Sequence, residues 1–76
     1  MDTKKRLNEL SVGESGRVKS LEVFGSMRRR FLDIGLAPDT RVTCIGRSPL
    51  GDPSAYLVRG SMIAIRGADA CGIVLE

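Results

Sequence analysis

Histidine and tryptophan are absent from this 76-residue chain. Losing histidine removes the commonest general base, the commonest metal ligand and every Ser/His or Cys/His nucleophile pair. Aromatic residues are nearly absent too, the whole set being Phe24, Phe31 and Tyr56. Proteins that hold single-stranded nucleic acid stack bases on aromatic faces, and grooves for proline-rich peptides are lined by them. Both modes are disfavoured by the shortage. Cysteine occurs only as Cys44 and Cys71, with 26 residues between them. That is too few for a secreted disulfide scaffold and too far apart for a zinc knuckle. Each lies in an apolar pattern, so two reduced, buried thiols are expected.

Long apolar runs are missing: none approaches the ~20 residues that cross a bilayer. No apolar leader precedes the first element. The aspartates Asp33, Asp39, Asp52 and Asp69 fall one per element, which writes no oxygen cage for a metal, and no glycine-rich phosphate loop leads into a helix. The expectation is a soluble cytoplasmic protein, not an enzyme, holding no metal and no cofactor, without insertion into a membrane.

What is present begins with charge. Lys and Arg number 12 against 9 Asp and Glu, a net +3. Residues 1–38 hold eight basic and five acidic residues and residues 39–76 four of each, so the surplus traces to Lys4-Lys5-Arg6 and Arg28-Arg29-Arg30. An acidic or phosphate-bearing partner fits such clusters, and so does ordinary solubility.

The length allows one domain, 1–76. A core this small buries about 60% of the unfolded chain's surface and yields a net stability of only ~3–5 kcal/mol. Leu7 and Leu10 suit one helical turn resting on that core. Gly13 and Gly16 bracket a turn. Arg17 to Phe24 reads as a strand whose break in alternation predicts a bulge. From Met27 the period changes: Met27, Phe31 and Ile34 form one helical stripe, with Ser26 as N-cap and Gly35 as the glycine after the helix. Pro38 forbids continuation. Strands follow at 41–47, where Val42 and Cys44 alternate with Arg41, Thr43 and Arg47, at Tyr56 to Arg59 and at Met62 to Arg66, with Arg59-Gly60-Ser61 as a tight hairpin. One helical turn is expected within 67–72, and Ile73-Val74-Leu75 closes the chain as a strand. Five short strands and one helix after the first strand predict a mainly β fold, a partly open, SH3-like barrel that curls to cover one face.

Two stretches look suited to contact rather than chemistry. Arg28, Arg29 and Arg30 fall in the expected first helical turn, where the helix dipole disfavours cations. Their guanidinium groups either meet a partner or stay wet while their stems cover apolar surface. In Ser48-Pro49-Leu50-Gly51-Asp52-Pro53, Pro49 and Gly51 suit a tight turn and Pro53 keeps Asp52 extended. Leu50 then stands at the tip of a stiff loop. It either folds back to plug the barrel mouth or serves as an apolar knob that loses little entropy on docking.

Arg29 to Leu36, then Val42, Ser48-Pro49-Leu50-Gly51-Asp52-Pro53, Arg59-Gly60, Ala64-Ile65-Arg66 and Ala70 resemble the FeoA family, and the resemblance runs from Leu10 to Leu75. It implies a small cytoplasmic SH3-like protein of bacterial ferrous iron transport, with a FeoB-like membrane GTPase as protein partner. The partner contacts expected are Arg28, Arg29, Arg30, Leu36, Pro49, Leu50, Gly51 and Asp52. Two positions depart from the family pattern: Asp39 stands where glycine is usual, and Asp69 where glutamate is common. At Asp39 the turn either avoids positive φ or aspartate tolerates it. Two rival readings accompany this one. One is a basic barrel that binds nucleic acid. The other is a metal-responsive interaction module of the kind appended to DtxR-type repressors, with homo-oligomers possible.

Overall fold

In the computed structural model, which describes residues 5–76, strand β1 is Lys5–Arg6 and leads into a 3₁₀ turn at Leu7–Glu9. There follow β2 (Ser15–Leu21), helix α1 (Gly25–Asp33), β3 (Arg41–Arg47), β4 (Ser54–Val58), β5 (Ser61–Ile65), helix α2 (Gly67–Ala70) and β6 (Ile73–Leu75). All pairings are antiparallel, in the order β1-β6-β2-β3-β4-β5. The two edges, β1 and β5, do not pair, which leaves a partly open, mainly β architecture of six strands. The sixth strand is β1, whose two charged residues carry no apolar alternation to announce it.

The register breaks between Val18 and Ser20 where β2 meets β6, which is the expected bulge. A second break falls between Cys44 and Gly46; up to it the alternation holds, with Val42 and Cys44 buried and Ile45 turned outward. Leu7 and Leu10 are buried, and the first residues after β1 lie over the sheet as a lid. Tyr56 anchors this lid, its hydroxyl donating to the Leu7 carbonyl at 3.4 Å. The Arg47 guanidinium reaches the Leu10 carbonyl and also donates to Ser54 Oγ at 3.1 Å. Burial raises the Tyr56 phenol above its ordinary pKa. Phe31, Leu36, Val58, Ile65 and Ile73 complete one core with these residues.

Helix α1 ends as its sequence demands. The Leu36 N–H donates to the Phe31 carbonyl at 2.9 Å and the Gly35 N–H to the Leu32 carbonyl at 3.1 Å. Gly35 sits at φ 102°, where a side chain would strain the backbone. This is the Schellman arrangement, and Leu36 packs into the core beside Phe31.

Several expectations are corrected. The helix starts at Gly25 with Phe24 as N-cap, because Ser26 is already inside it and makes no capping bond. Gly16 belongs to β2 rather than to a turn, and a Cβ there would stand 2.9 Å from Leu75 Cδ1. The turn lies earlier, closed by the Glu14 N–H on the Ser11 carbonyl at 2.8 Å. Cys44 is buried, but Cys71 is exposed at the end of α2. Asp39 does adopt positive φ, 74°, in a turn closed by the Thr40 N–H on the Ala37 carbonyl at 3.1 Å. No helix among the described residues is long and apolar enough to cross a membrane.

Candidate functional site

The loop between β3 and β4 is stiff because its own backbone closes it. The Gly51 N–H donates to the Ser48 carbonyl at 2.8 Å, and the Ser48 N–H to the Pro53 carbonyl at 3.2 Å. Ser48 Oγ donates to the Asp52 carbonyl at 2.7 Å. The Asp52 carboxylate reaches out of the loop and accepts from the Gly67 N–H at 2.7 Å, tying it to the start of α2. Asp52 therefore spends one carboxylate oxygen within the fold. Leu50 stands at the turn with 94% of its surface exposed. It does not plug the barrel mouth.

The arginine triplet lies two residues further into α1 than the sequence suggests, since the helix begins at Gly25 rather than Met27. Arg30 falls in the last turn, where the dipole favours a cation. The expected electrostatic conflict is thus reduced to Arg28, the fourth residue of the helix. All three side chains are exposed, but they do not share one surface. Arg28 and Arg29 border a shallow depression of about 340 Å³ with Leu32 and Asp33. Arg30 faces a cleft of about 360 Å³ between α1 and β5, together with Phe31, Ile63, Ile65, Arg66 and Asp69. No residue of the 48–53 loop lines either depression.

Leu36 is fully buried, so it cannot touch a partner. Its place is decided by the Schellman turn, which drives the residue after the glycine back onto the helix. The N-terminal cluster splits in the same way. Lys4 lies outside the described residues, Lys5 pairs with Glu14 at 2.6 Å, and Arg6 pairs with Glu22 at 2.5 Å. These are the only ion pairs among the described residues, and neither involves α1. The arginines of α1 and of the cleft therefore keep their charge unpaired among the described residues, as do the exposed Arg17, Lys19 and Arg41 on β2 and β3. Among the described residues no three of Cys, Asp and Glu come together as a metal cage.

Of the exposed apolar residues that the sequence did not single out, Phe24 and Met62 are the most exposed, ahead of Val12 and Leu57. Phe24 is 85% exposed just ahead of α1, and Met62 is 70% exposed on β5. For Met62 the signal was present, because Ile63 and Ile65 claim the inward phase of their strand and leave it the outward one. Phe24 gave none, being assigned to a strand that ends at Leu21.

Comparison with known proteins bears on this geometry. The family model described as the FeoA domain matches residues 5–76. A curated relative, the Fe(2+) transport protein A/Fe(2+) transporter FeoB fusion protein of Porphyromonas gingivalis, is 31% identical over 71 residues. That match covers 93% of this chain, which spans only 8% of the relative's length. The solution structure of FeoA protein from Chlorobium tepidum superposes with a TM-score of 0.89 at 30% identity, covering 95% of this chain and 69% of that one. FeoA of Stenotrophomonas maltophilia, described as a prokaryotic SH3 domain protein and solved with zinc, superposes at 0.84. It is 24% identical and covers 95% of this chain and 89% of its own, so it speaks to the fold. On the extent of the family match and the identity of these relatives, the chain belongs to the FeoA domain family.

Proposed function

We propose that this chain is a non-enzymatic accessory protein of ferrous iron uptake, acting in the cytoplasm by docking on the cytoplasmic part of a FeoB-like membrane GTPase. The observation that carries the reading is Leu50, an apolar side chain 94% exposed on a loop that its own hydrogen bonds hold rigid. Such a knob loses little conformational entropy when it is covered. Pro49 and Gly51 shape the turn, and Asp52 anchors it to α2. Arg28 and Arg29 on one side of α1, and Arg30 on the other, add charge complementarity to an acidic partner. The fusion relative supports the choice of partner, because one chain there carries both Fe(2+) transport protein A and FeoB. A covalent tether raises the effective concentration of two modules that work together.

The test is the affinity of the chain for the isolated cytoplasmic portion of a FeoB-like protein, measured by titration calorimetry. Leu50→Ala removes most of a side chain whose burial is worth about 1.5–3 kcal/mol, so binding should weaken roughly tenfold. Replacing Arg28, Arg29 and Arg30 together by Ala should weaken it further and flatten its salt dependence. Unchanged affinity in both variants, with native spectra retained, rejects the reading.

A further inference from the structure

The two open edges of the sheet are guarded very differently. Edge β1 is two residues long, and both are charged. Edge β5, Ser61–Ile65, has five residues with neither a charge nor a proline among them. Long, uncharged edges are the ones that accept another strand. Natural sheets protect such edges unless pairing is their use.

The register says which groups are on offer. A hairpin closed by a two-residue turn starts from a pair that exchanges both backbone hydrogen bonds, and bonded and non-bonded pairs then alternate. Here the turn is Arg59-Gly60, both at positive φ, and the flanking pair is Val58 and Ser61. Ser61, Ile63 and Ile65 therefore turn their backbone groups toward β4, while Met62 and Ala64 turn N–H and C=O to the open side. Outside the β4 ladder, no hydrogen bond among the described residues reaches either of them.

Beside this edge lies the cleft of about 360 Å³ whose walls are α1 and β5. Met27 and Phe31 form the helical side, and Ile63 and Ile65 the strand side. The inward side chains of a strand added to β5 would enter it. Its polar border is cationic: Arg30 and Arg66 line the cleft against the single carboxylate of Asp69, and Arg59 stands exposed at the turn that begins the edge.

We propose that β5 is a strand-addition site, at which an extended acidic segment of a partner protein pairs with Met62 and Ala64, inserts alternate aliphatic side chains into the α1–β5 cleft and neutralises Arg30, Arg59 and Arg66. Charge selects this occupant over a second copy of the chain. Two β5 edges paired antiparallel about Ile63 would bring each Arg66 against the other chain's Arg59-Gly60 turn, with like charges meeting at both ends. The site shares Arg30 with the docking surface proposed above but lies apart from the Leu50 loop. Leu50→Ala tests that surface alone and Ala64→Pro this one alone, so the failure of either assignment is distinguishable from that of the other.

The probe is an octapeptide of alternating glutamate and valine with blocked ends, titrated into the isotope-labelled full chain. A lysine/valine counterpart serves as control. The acidic peptide should shift the amide signals of Met62 and Ala64 and slow their hydrogen exchange, while the basic one binds at least tenfold more weakly. Ala64→Pro deletes an open-side donor that the β4 ladder does not use, and should weaken binding at least tenfold. The double variant Arg30→Glu, Arg66→Glu alters only exposed side chains and should reverse the preference between the peptides; it decides the matter by itself if the proline variant does not fold. Absence of binding by the acidic peptide, equal binding of both peptides, shifts confined to other elements, or protection of β5 by concentration-dependent self-association would each overturn the assignment.

Discussion

Asp39 and Arg59 are the described residues other than glycine that hold left-handed backbone, at φ 74° and 50°. An L side chain there costs about 1–2 kcal/mol, less for aspartate. Glycine would relieve that strain while losing some of the gain to unfolded-chain entropy. Asp39→Gly should therefore stabilise the protein by about 0.5 kcal/mol, read as a higher urea midpoint at unchanged slope. Gly35→Ala runs the other way. It puts a side chain at φ 102°, with its Cβ 2.6 Å from Arg59 Cδ, and should cost about 1–2 kcal/mol, seen as a lower midpoint. The arginine stem can move aside, so the backbone carries most of that cost. Cysteine chemistry is settled residue by residue as well. Cys71 is exposed and Cys44 buried, so a thiol reagent should label one cysteine in the native protein and both in denaturant.

At the scale of elements, Leu36 and Leu50 make an instructive pair. Both were expected at the partner surface. Leu36 is instead the residue that the Schellman turn folds back into the core. Leu36→Ala should cost about 2–5 kcal/mol. Against a total of only ~3–5 kcal/mol for a domain this size, much of the variant should be unfolded by circular dichroism at room temperature. Leu50→Ala should move stability by less than about 0.5 kcal/mol, because nothing in the fold rests on that side chain. The stripe of Met27, Phe31 and Ile34, the glycine that ends α1, the bulge in β2 and the hairpin at Arg59-Gly60 were legible, since each is decided within a few residues. The start of α1 was not. Ser26 is a good capping residue by type, yet the chain enters the helix from Phe24 with Gly25 as its first residue.

At the scale of the fold, the two ion pairs among the described residues both tie the N-terminal segment onward, to Glu14 and to Glu22. Glu14 accepts from Lys5 Nζ at 2.6 Å and from the Ser11 N–H at 2.9 Å. The Lys5 bond first, then the Ser11 bond, holds its carboxyl below the usual carboxylate range, against a smaller desolvation effect. A carboxylate whose folded pKa is lowered contributes stability that is fully present above its unfolded pKa and is lost as pH falls through the folded one. Glu14→Gln should lower the thermal midpoint at neutral pH, and the difference from the parent should shrink as pH falls below the ordinary glutamate range and vanish once Glu14 is protonated in the folded protein. Added salt should shrink it at neutral pH, because the pair is exposed. With Lys5 and Arg6 so engaged, the exposed cations left without an ion pair among the described residues include those of α1, Arg59 and Arg66, and also Arg17, Lys19 and Arg41 on β2 and β3.

The local decisions, and through them the fold class, were written in the chain itself: strand alternation, the helical stripe, the glycine and proline stops, and the family signature from Leu10 to Leu75. They could be read because periodicity and backbone preference act over neighbouring residues. Which side chains reach solvent at the candidate site was decided only by tertiary structure. Leu50 went outward, Arg30 parted from Arg28 and Arg29, and β5 was left unpaired opposite a charged β1. Each of these depends on what packs against a residue from far along the chain, and no local pattern records that.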